Sequence, residues 1–267
     1  MALGAIRVGI GGWTFEPWRG GAFYPEGLPQ KKELEFATRA LTAIEVNGTY
    51  YSGFKPATFA GWAAAAPDGF VYAVKASRFC TNRKVLAEAG ESIAKFTGQG
   101  ITELGDKLGP ILWQFMATKK FDADDFGAFV KLLPEKQDGV ALRHAIQVRH
   151  ESFAVPAFIE MCRKAGVAIV FADSPQYPAI ADVTGNFVYA RLERGEDDNP
   201  LCYPEKDIDR WVDAAKCWAE GGRPEGLPYV DDAAPKKAPR ETFVFFIHGG
   251  KVRAPAAAQA VIERLKA

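Results

Sequence analysis

Apolar and polar positions form two periodic patterns along the chain, one with the period of a β-strand and one with the period of an α-helix. Runs rich in β-branched and aromatic residues have the strand pattern: IRVGIGG (6–12), AIEVN (43–47), FVYAVK (70–75), PILWQF (110–115), AIQVR (145–149), VAIVFAD (167–173), FVYARL (187–192) and TFVFFIH (242–248). Helical spacing marks KKELEFATRAL, PATFAGWAAAA, DADDFGAFVKLL, VPAFIEMCRKAG, EKDIDRWVDAAKCWAEGG and APAAAQAVIERLKA, with a further helix around 84–104. Strand followed by helix, repeated about eight times at this length, predicts an α/β fold, a TIM-type (β/α)8 barrel. An open doubly wound sheet is the alternative.

Two segments make the predicted barrel irregular. Only SPQYPAIADVTGN lies between strands six and seven, and its two prolines leave little room for a crossover helix, so we expect a degenerate unit there. Before strand eight, residues 222–241 are rich in proline and charge, which indicates a surface insert without a function of its own. No composition shift marks a domain boundary, and we expect a single domain over residues 1–267.

Composition narrows the classes of partner. With 33 basic and 33 acidic residues the formal net charge is +0, which does not favour a broad nucleic-acid or membrane-binding surface. The four cysteines have no Cys-x-x-Cys spacing, so neither structural zinc nor a disulfide framework is expected. The opening MALGAIRVGIGG enters a strand pattern at once and resembles no secretion signal, and we expect a cytoplasmic protein. The oligomeric state stays open.

The polar residues near the strand ends supply the candidate chemistry. Alternate strand residues point into a barrel, and the carboxyl ends of its strands form the catalytic face. Alternation directs these polar residues to the mouth of the barrel: Glu45, Asn47, Lys75, Gln147, Arg149, Asp173, Tyr189, Arg191 and His248, joined in strand four by Gln114 or Trp113. In strand six the inward face is predicted as Val167, Ile169, Phe171 and Asp173, and in strand eight as Val244, Phe246 and His248. A buried carboxylate such as Glu45 is costly unless it is paired, so we expect it to face these polar groups.

Several phrases resemble a known family. GIGGWTFEPWRGGAFYPEGL, IEVNGTYY, FVYAVKASR, KLGPILWQF, QVRHESF and FVYARL resemble, in order and spacing, the domain of unknown function 72 family, also called YecE-like. The resemblance runs from about residue 6 to the end of the chain. It implies a TIM-barrel-type fold, with an architecture broadly like that of sugar isomerases and the endonuclease IV class, and it implies no particular reaction.

The chain departs from the family pattern at four places. It has Gln147 where the family usually has glutamate, Asn82 and Glu193 where histidine is common, and His248-Gly249-Gly250 where asparagine is typical. A role that needs a carboxylate at 147, or an imidazole at 82 or 193, is therefore not expected.

The mouth residues favour acid–base chemistry on an anionic, phosphorylated or sugar-like small molecule. Glu45 and Asp173 are the acid–base candidates, with His248 beside them, and Lys75, Arg149 and Arg191 would hold negative charge. A Schiff-base role for Lys75 is conceivable, but a cation that neutralises Glu45 is the favoured interpretation. The reaction class (isomerase, lyase or hydrolase) stays open, and a barrel sealed by ion pairs, without catalysis, is an alternative.

No metal site and no cofactor is predicted. With only three histidines a tightly held zinc is not expected, whereas weak divalent binding through two carboxylates stays open. After strand eight, HGGKVRAP places Lys251 and Arg253 just before a helix, a position where barrels often bind phosphate.

Aromatic residues crowd the predicted loops, and Trp13 and Tyr50 are candidates for stacking against a sugar or a base, although core packing is the commoner role. Arg78, after strand three, is a further candidate for binding the substrate. Together these residues support an alternative class, a single-stranded nucleic-acid-binding or nuclease-like protein.

Overall fold

Eight parallel strands form a closed barrel in the computed structural model, which describes residues 4–233 and 235–266. The strands are β1 (Ile6–Gly11), β2 (Ala43–Val46), β3 (Val71–Lys75), β4 (Leu108–Gln114), β5 (His144–Gln147), β6 (Ala168–Asp173), β7 (Phe187–Arg194) and β8 (Glu241–Gly249). Each strand pairs with the next along the chain, and β8 closes the barrel against β1. The predicted TIM-type barrel is confirmed, and the open sheet is excluded.

Helices lie between the strands, as the sequence pattern predicts. They are α1 (Glu33–Ala40), α2 (Gly48–Tyr51), α3 (Pro56–Ala65), α4 (Arg78–Thr81), α5 (Gly90–Thr97), α6 (Ala123–Lys131), α7 (Pro156–Ala165), α8 (Glu205–Ala219) and α9 (Ala254–Lys266). The single helix expected around 84–104 is instead α5 flanked by two 3-10 segments, Leu86–Glu88 and Ile101–Lys107. Gly100 and Gly105, at φ values of 104° and 55°, interrupt the helical path there. No helix in the described part of the chain is long and apolar enough to cross a membrane.

The connection between β6 and β7 contains no helix in residues 174–186, all of which the structure describes. Part of the predicted insert packs on this connection: Asp182 accepts hydrogen bonds from the backbone N–H groups of Val230 and Asp231, at 2.8 and 2.9 Å. Leu227 and Tyr229 pack against the core in the same stretch. The stretch before β8 therefore covers a part of the barrel wall that has no helix of its own.

The interior of the barrel is apolar toward its amino-terminal end. Its buried cluster comprises Ala43, Val71, Ala73, Leu112, Ala145, Ala168, Val170, Phe187, Tyr189, Phe243, Phe245 and Ile247. This membership shows that the faces predicted for β6 and β8 are wrong by one residue. Phe171, expected inside, packs outward against Trp211 and Trp218 with ring centroids 5.8 Å away from each. Both faces of these strands are apolar, so alternation carries no signal in them.

Candidate functional site

A buried ion pair joins β2 to β7 at the carboxyl ends of the strands. Glu45 Oε2 accepts hydrogen bonds from Tyr189 Oη at 2.8 Å and Arg191 Nε at 3.0 Å, and its Oε1 accepts one from Arg191 Nη2 at 3.2 Å. Glu45 is 0% exposed and Arg191 is 2% exposed. The expected partner of the strand-two carboxylate is therefore present, and it comes from the opposite side of the barrel.

Arg191 also binds the polar groups of β5 and of its own strand. Its Nη1 donates to Gln147 Oε1 and to Glu193 Oε1, at 2.7 Å in each case. Gln147 Oε1 accepts a further hydrogen bond from Gln114 Nε2 at 2.6 Å, so Gln114, and not Trp113, is the inward residue of β4. We call this set of residues the floor network: Glu45, Gln114, Gln147, Tyr189, Arg191 and Glu193.

Sequence reasoning did not place Glu193 in the site. The predicted strand ends at Leu192, whereas β7 continues to Arg194. Glu193 lies two residues after Arg191 and so shares its inward face. Alternation applied one step further along this strand would have found it.

The floor network favours the ionised forms of Glu45 and Arg191. Burial raises the pKa of Glu45, but the charges of Arg191 and Lys75 and hydrogen bonds from Arg191 and Tyr189 lower it further, to a net value below the usual one. Burial lowers the pKa of Arg191, and the two carboxylates reverse that effect. Because every acceptor of Glu45 is engaged, this carboxylate supports the site from below and does not face the cavity.

A cavity of about 400 Å³ opens above the floor network. Eight of the residues predicted for the site line it: Asn47, Tyr50, Lys75, Gln114, Arg149, Arg191, His248 and Lys251. A cavity of this size accommodates a small molecule, and it lies where barrel enzymes bind their substrates.

Lys75, the last residue of β3, is the ionisable amine nearest the floor of the cavity. It is 7% exposed, and its Nζ lies 4.5 Å from the centroid of the Tyr50 ring. Within the described residues no carboxylate oxygen lies within 4.0 Å of that atom. Arg191 forms the contact ion pair with Glu45, and the charge of Lys75 lowers the pKa of that carboxyl from a greater distance.

Burial is the main cause that lowers the pKa of Lys75, to about 7, and the like charges of Arg191 and Arg149 add to it. The negative charges of Glu45 and Glu193 oppose this shift, but both carboxylates are paired with Arg191. Lys75 can thus exist in both the charged and the neutral form near neutral pH.

Arg149 also lines the cavity and, like Lys75, has no carboxylate partner in the part of the chain that the structure describes. Its guanidinium lies 4.4 Å from the centroid of the Tyr177 ring. Its Nε is buried and has no hydrogen-bond partner in the part of the chain that the structure describes. Burial lowers the pKa of this side chain. We call Lys75 and Arg149 the free cations, since neither is held by a carboxylate of the described chain.

Two predicted residues lie at the rim of the cavity. His248 is exposed and has a φ of 72°, a left-handed conformation that is rare outside glycine. The register of β8 against β7 shifts between Phe246 and Gly249, and this irregularity turns His248 toward the cavity although the inward face of β8 belongs to Ile247. The Nζ of Lys251 lies 4.1 Å from the centroid of the Phe15 ring.

Four residues predicted for the site lie outside the cavity. Asp173 is bound by Arg194 at 2.9 Å, because β6 presents Ala168 and Val170 to the interior and Asp173 has the opposite parity. Trp13 packs edge-on against Trp62.

Arg78, the third of them, is exposed beside the Phe79 ring, outside the cavity. Arg253, the fourth, donates to the backbone oxygen of Asp197 at 3.4 Å. The Asp197 carboxylate accepts the N–H groups of Val252 and Arg253 at 2.8 and 3.3 Å, so an internal carboxylate takes the position expected for phosphate.

Most of the early aromatic residues pack against one another. Trp18 contacts Phe15, Phe23 and Tyr24 in edge-on arrangements. Tyr50 lines the cavity, and Tyr51, which also reaches it, is 65% exposed. Nowhere in residues 4–233 or 235–266 do three or more His, Cys, Asp or Glu side chains form an arrangement that could hold a metal ion.

The fold and the site define a TIM-barrel protein with a charged cavity at the carboxyl ends of its strands. A family model described as "Protein of unknown function DUF72" matches residues 7–267, and the chain belongs to this family. The resemblance noted in the sequence is thus confirmed. A comparison with curated protein sequences gave no match.

Solved structures with the same fold include two members of the family. A DUF72 family protein from Thermotoga maritima MSB8 is 22% identical with a TM-score of 0.70, over 98% of each chain. One from Enterococcus faecalis V583 is 18% identical with a TM-score of 0.72, over 98% of this chain and 96% of that one. SacUVDE is 9% identical with a TM-score of 0.57, over 98% and 100%. At these identities the likeness concerns the fold alone.

Proposed function

We propose that the protein is an enzyme that binds a small anionic molecule, phosphorylated or sugar-like, in this cavity and transfers a proton there without a metal ion. The observation that carries the proposal is the pair of free cations, Lys75, which is buried, and Arg149, which is half-buried, beside an open cavity and without a carboxylate partner among the described residues. The reaction class, whether isomerase, lyase or hydrolase, is left open.

The free cations favour an anionic ligand. Burying a charge without a partner costs several kcal/mol, on the order of the net stability of a domain. Arg149 has a buried Nε–H with no acceptor in the described chain, and a phosphate or carboxylate oxygen would satisfy it. Asn47 and Gln114 line the same cavity and offer amide groups to the hydroxyls of a sugar-like ligand.

Lys75 is the group best suited to move the proton. A general acid or base works best with a pKa near the working pH, and the pKa of Lys75 is lowered to about 7. Glu45, the other candidate, is fully buried and bound by Arg191 and Tyr189, so its role is to hold Arg191 in place. His248, at the rim, is available as a second proton carrier.

The donor set favours chemistry without a metal. The carboxylates at the floor, Glu45 and Glu193, are both bound by Arg191. A divalent cation would have to displace the guanidinium from them, which restricts metal binding to a weak interaction.

A thermal-shift screen of phosphorylated and carboxylated small molecules tests the proposal. We expect at least one ligand to stabilise the parent, with EDTA present, and to bind Arg149→Met about 10- to 100-fold more weakly, because a charged hydrogen bond is lost. Arg163→Met is the matched control, since Arg163 lies on α7 and pairs with Asp231 away from the cavity. If no ligand stabilises the parent, or Arg149→Met binds as tightly, the proposal fails.

A second candidate, single-stranded nucleic acid binding, is favoured by one observation. Tyr51 and Phe79 are 65% and 60% exposed in the short helices α2 and α4, which follow β2 and β3, and flat exposed rings can stack against bases. Oligonucleotide affinity should then fall steeply with salt and should drop in Tyr51→Ser. An affinity that is absent or independent of salt eliminates this candidate.

A further inference from the structure

The surroundings of Lys75 are those of a reactive amine. Its side chain is buried at the end of β3, and its Nζ lies over the Tyr50 ring, 4.5 Å from the centroid. Lysines with a structural role bind carboxylates or carbonyl oxygens: Lys107, for example, donates to the carbonyls of Ala63 and Ala66 at 2.7 Å. Within the described residues Lys75 makes no such contact, and its nitrogen faces the cavity.

The charged groups around Lys75 favour its neutral form. Arg191 and Arg149 have the same charge as the protonated Lys75. Glu45 and Glu193 have the opposite charge, but both carboxylates are already paired with Arg191. Further ionisable groups line the same cavity: Tyr50, whose hydroxyl accepts a hydrogen bond from Asn82 at 3.2 Å, Tyr51 and, at the rim, His248 and Lys251. A neutral amine is a nucleophile, whereas an ammonium ion is not.

We infer that Lys75 attacks the carbonyl carbon of an aldehyde or ketone that also has a phosphate or carboxylate group, and forms an imine with it. The inference rests on the proposed function, because Arg149 must bind the anionic group in the same cavity. It narrows the substrate from any small anion to an anionic carbonyl compound.

The step balances without any further reactant. The Nζ lone pair forms a bond to the carbonyl carbon while the π electrons of the C=O bond move to oxygen, which gives a carbinolamine. The oxygen then leaves as water together with the two hydrogens of the amine, and nitrogen and carbon share a double bond. Water reverses the step, so the lysine is regenerated.

The position of Arg149 accounts for the selection of an anionic carbonyl compound. Its guanidinium lines the same cavity as the amine and lacks a carboxylate partner in the described chain. Binding the anionic group there would hold the carbonyl carbon near Nζ and raise its effective concentration. A neutral carbonyl compound lacks this attachment.

Reductive trapping tests the inference. The full-length protein is incubated with dihydroxyacetone phosphate or pyruvate and sodium borohydride, and its intact mass is measured before peptide mapping. We expect one adduct at Lys75, with the mass of the probe less one oxygen atom. Dihydroxyacetone and acetone are the matched neutral probes and should label much more slowly. The labelling rate should rise about tenfold per pH unit below about pH 7 and level off above it, as the amine loses its proton.

Three variants separate the outcomes. Lys75→Arg keeps the positive charge but cannot form an imine, so it should bind the anionic probes and give no adduct. Arg149→Met should require about 10- to 100-fold more of an anionic probe for the same labelling. Lys164→Arg, at an exposed position on α7, should label like the parent.

The possible failures are distinguishable. If a phosphorylated compound stabilises the parent but no adduct forms at Lys75, the imine is wrong and the proposed function stands. An adduct that forms equally with neutral probes and in Arg149→Met supports the reactive lysine and overturns the selection of anions. Labelling spread over exposed lysines overturns the inference.

Discussion

The two sides of the cavity differ in whether their buried charges are paired. In the floor network, Arg191 makes four hydrogen bonds, to Glu45, Gln147 and Glu193. On the wall above it, the free cations Lys75 and Arg149 are held by no carboxylate of the described chain. Both sides are at the same end of the same barrel.

The difference separates the charges that stabilise the fold from those that are available for binding a ligand. In a network whose charged groups are all paired, the ion pairs and hydrogen bonds offset the free energy of desolvating the ions. Removing one member therefore leaves another buried without a partner. A cation without a partner makes no such contribution and is kept at a cost in stability. The comparison thus predicts opposite responses to the loss of a cation on the two sides.

The largest effect is expected for Arg191→Met. It leaves Glu45 and Glu193 buried without a cation, and we expect it to lower the free energy of unfolding by about 3–5 kcal/mol in urea at pH 7. Arg191→Lys, which keeps a charge, should lose less. A change below about 1 kcal/mol in Arg191→Met would show that the floor network does not stabilise the fold. Arg163→Met, which removes a half-exposed arginine, is the control.

The next effect is the opposite one, a gain in stability in Lys75→Met. Between about pH 7 and pH 10.5 Lys75 is neutral in the folded protein and protonated in the unfolded chain. The unfolded state then binds more protons, so stability of the parent rises with pH in this window. Below about pH 7 Lys75 is protonated in both states, and the folded state is destabilised by the full free energy of burying the charged amine.

We therefore expect Lys75→Met to exceed the parent in stability at pH 6, by at most about 5 kcal/mol, and the difference to vanish as the pH approaches 10.5. Solvent in the open cavity reduces the size of the effect. Urea unfolding of both proteins across this range measures it, with Lys164→Met as the control for removing a lysine. A difference that does not change with pH would mean that Lys75 is not a destabilised cation.

The smallest effect is expected at the rim. His248 has a φ of 72°, which costs a residue with a Cβ atom about 1 kcal/mol relative to glycine. His248→Gly should therefore gain about 1 kcal/mol in stability and weaken ligand binding. Asp138→Gly is the matched control, since Asp138 has a φ of 50° in the turn between two short antiparallel strands, Lys136–Gln137 and Val140–Ala141, and does not line the cavity. Its carboxylate accepts hydrogen bonds from Thr102 and Gln137, so its gain in stability should be smaller than that of His248→Gly, with ligand binding unchanged.

Alternation was a good guide where a strand has one polar and one apolar face. In β2, β3, β5 and β7 it directed Glu45, Lys75, Gln147 and Arg191 inward, and these residues meet in the structure. In β6 and β8 both faces are apolar, so the choice of face was arbitrary, and Asp173 was placed in the site although Arg194 binds it elsewhere. Glu193 was missed because the end of β7 could not be located to within two residues.

The order of strands and helices follows from the sequence, because the period of the apolar pattern and the helix-ending residues are local properties of the chain. The closure of the sheet, by the pairing of β8 with β1, was decided by the tertiary structure. Which charges pair was decided only by the tertiary structure. Arg191 and Lys75 both come from strands that end at the mouth, and each was a possible partner for Glu45. The geometry of the closed barrel brought the guanidinium to the carboxylate and left the amine over Tyr50. Pairing depends on distances across the barrel of a few ångström, which no local pattern contains.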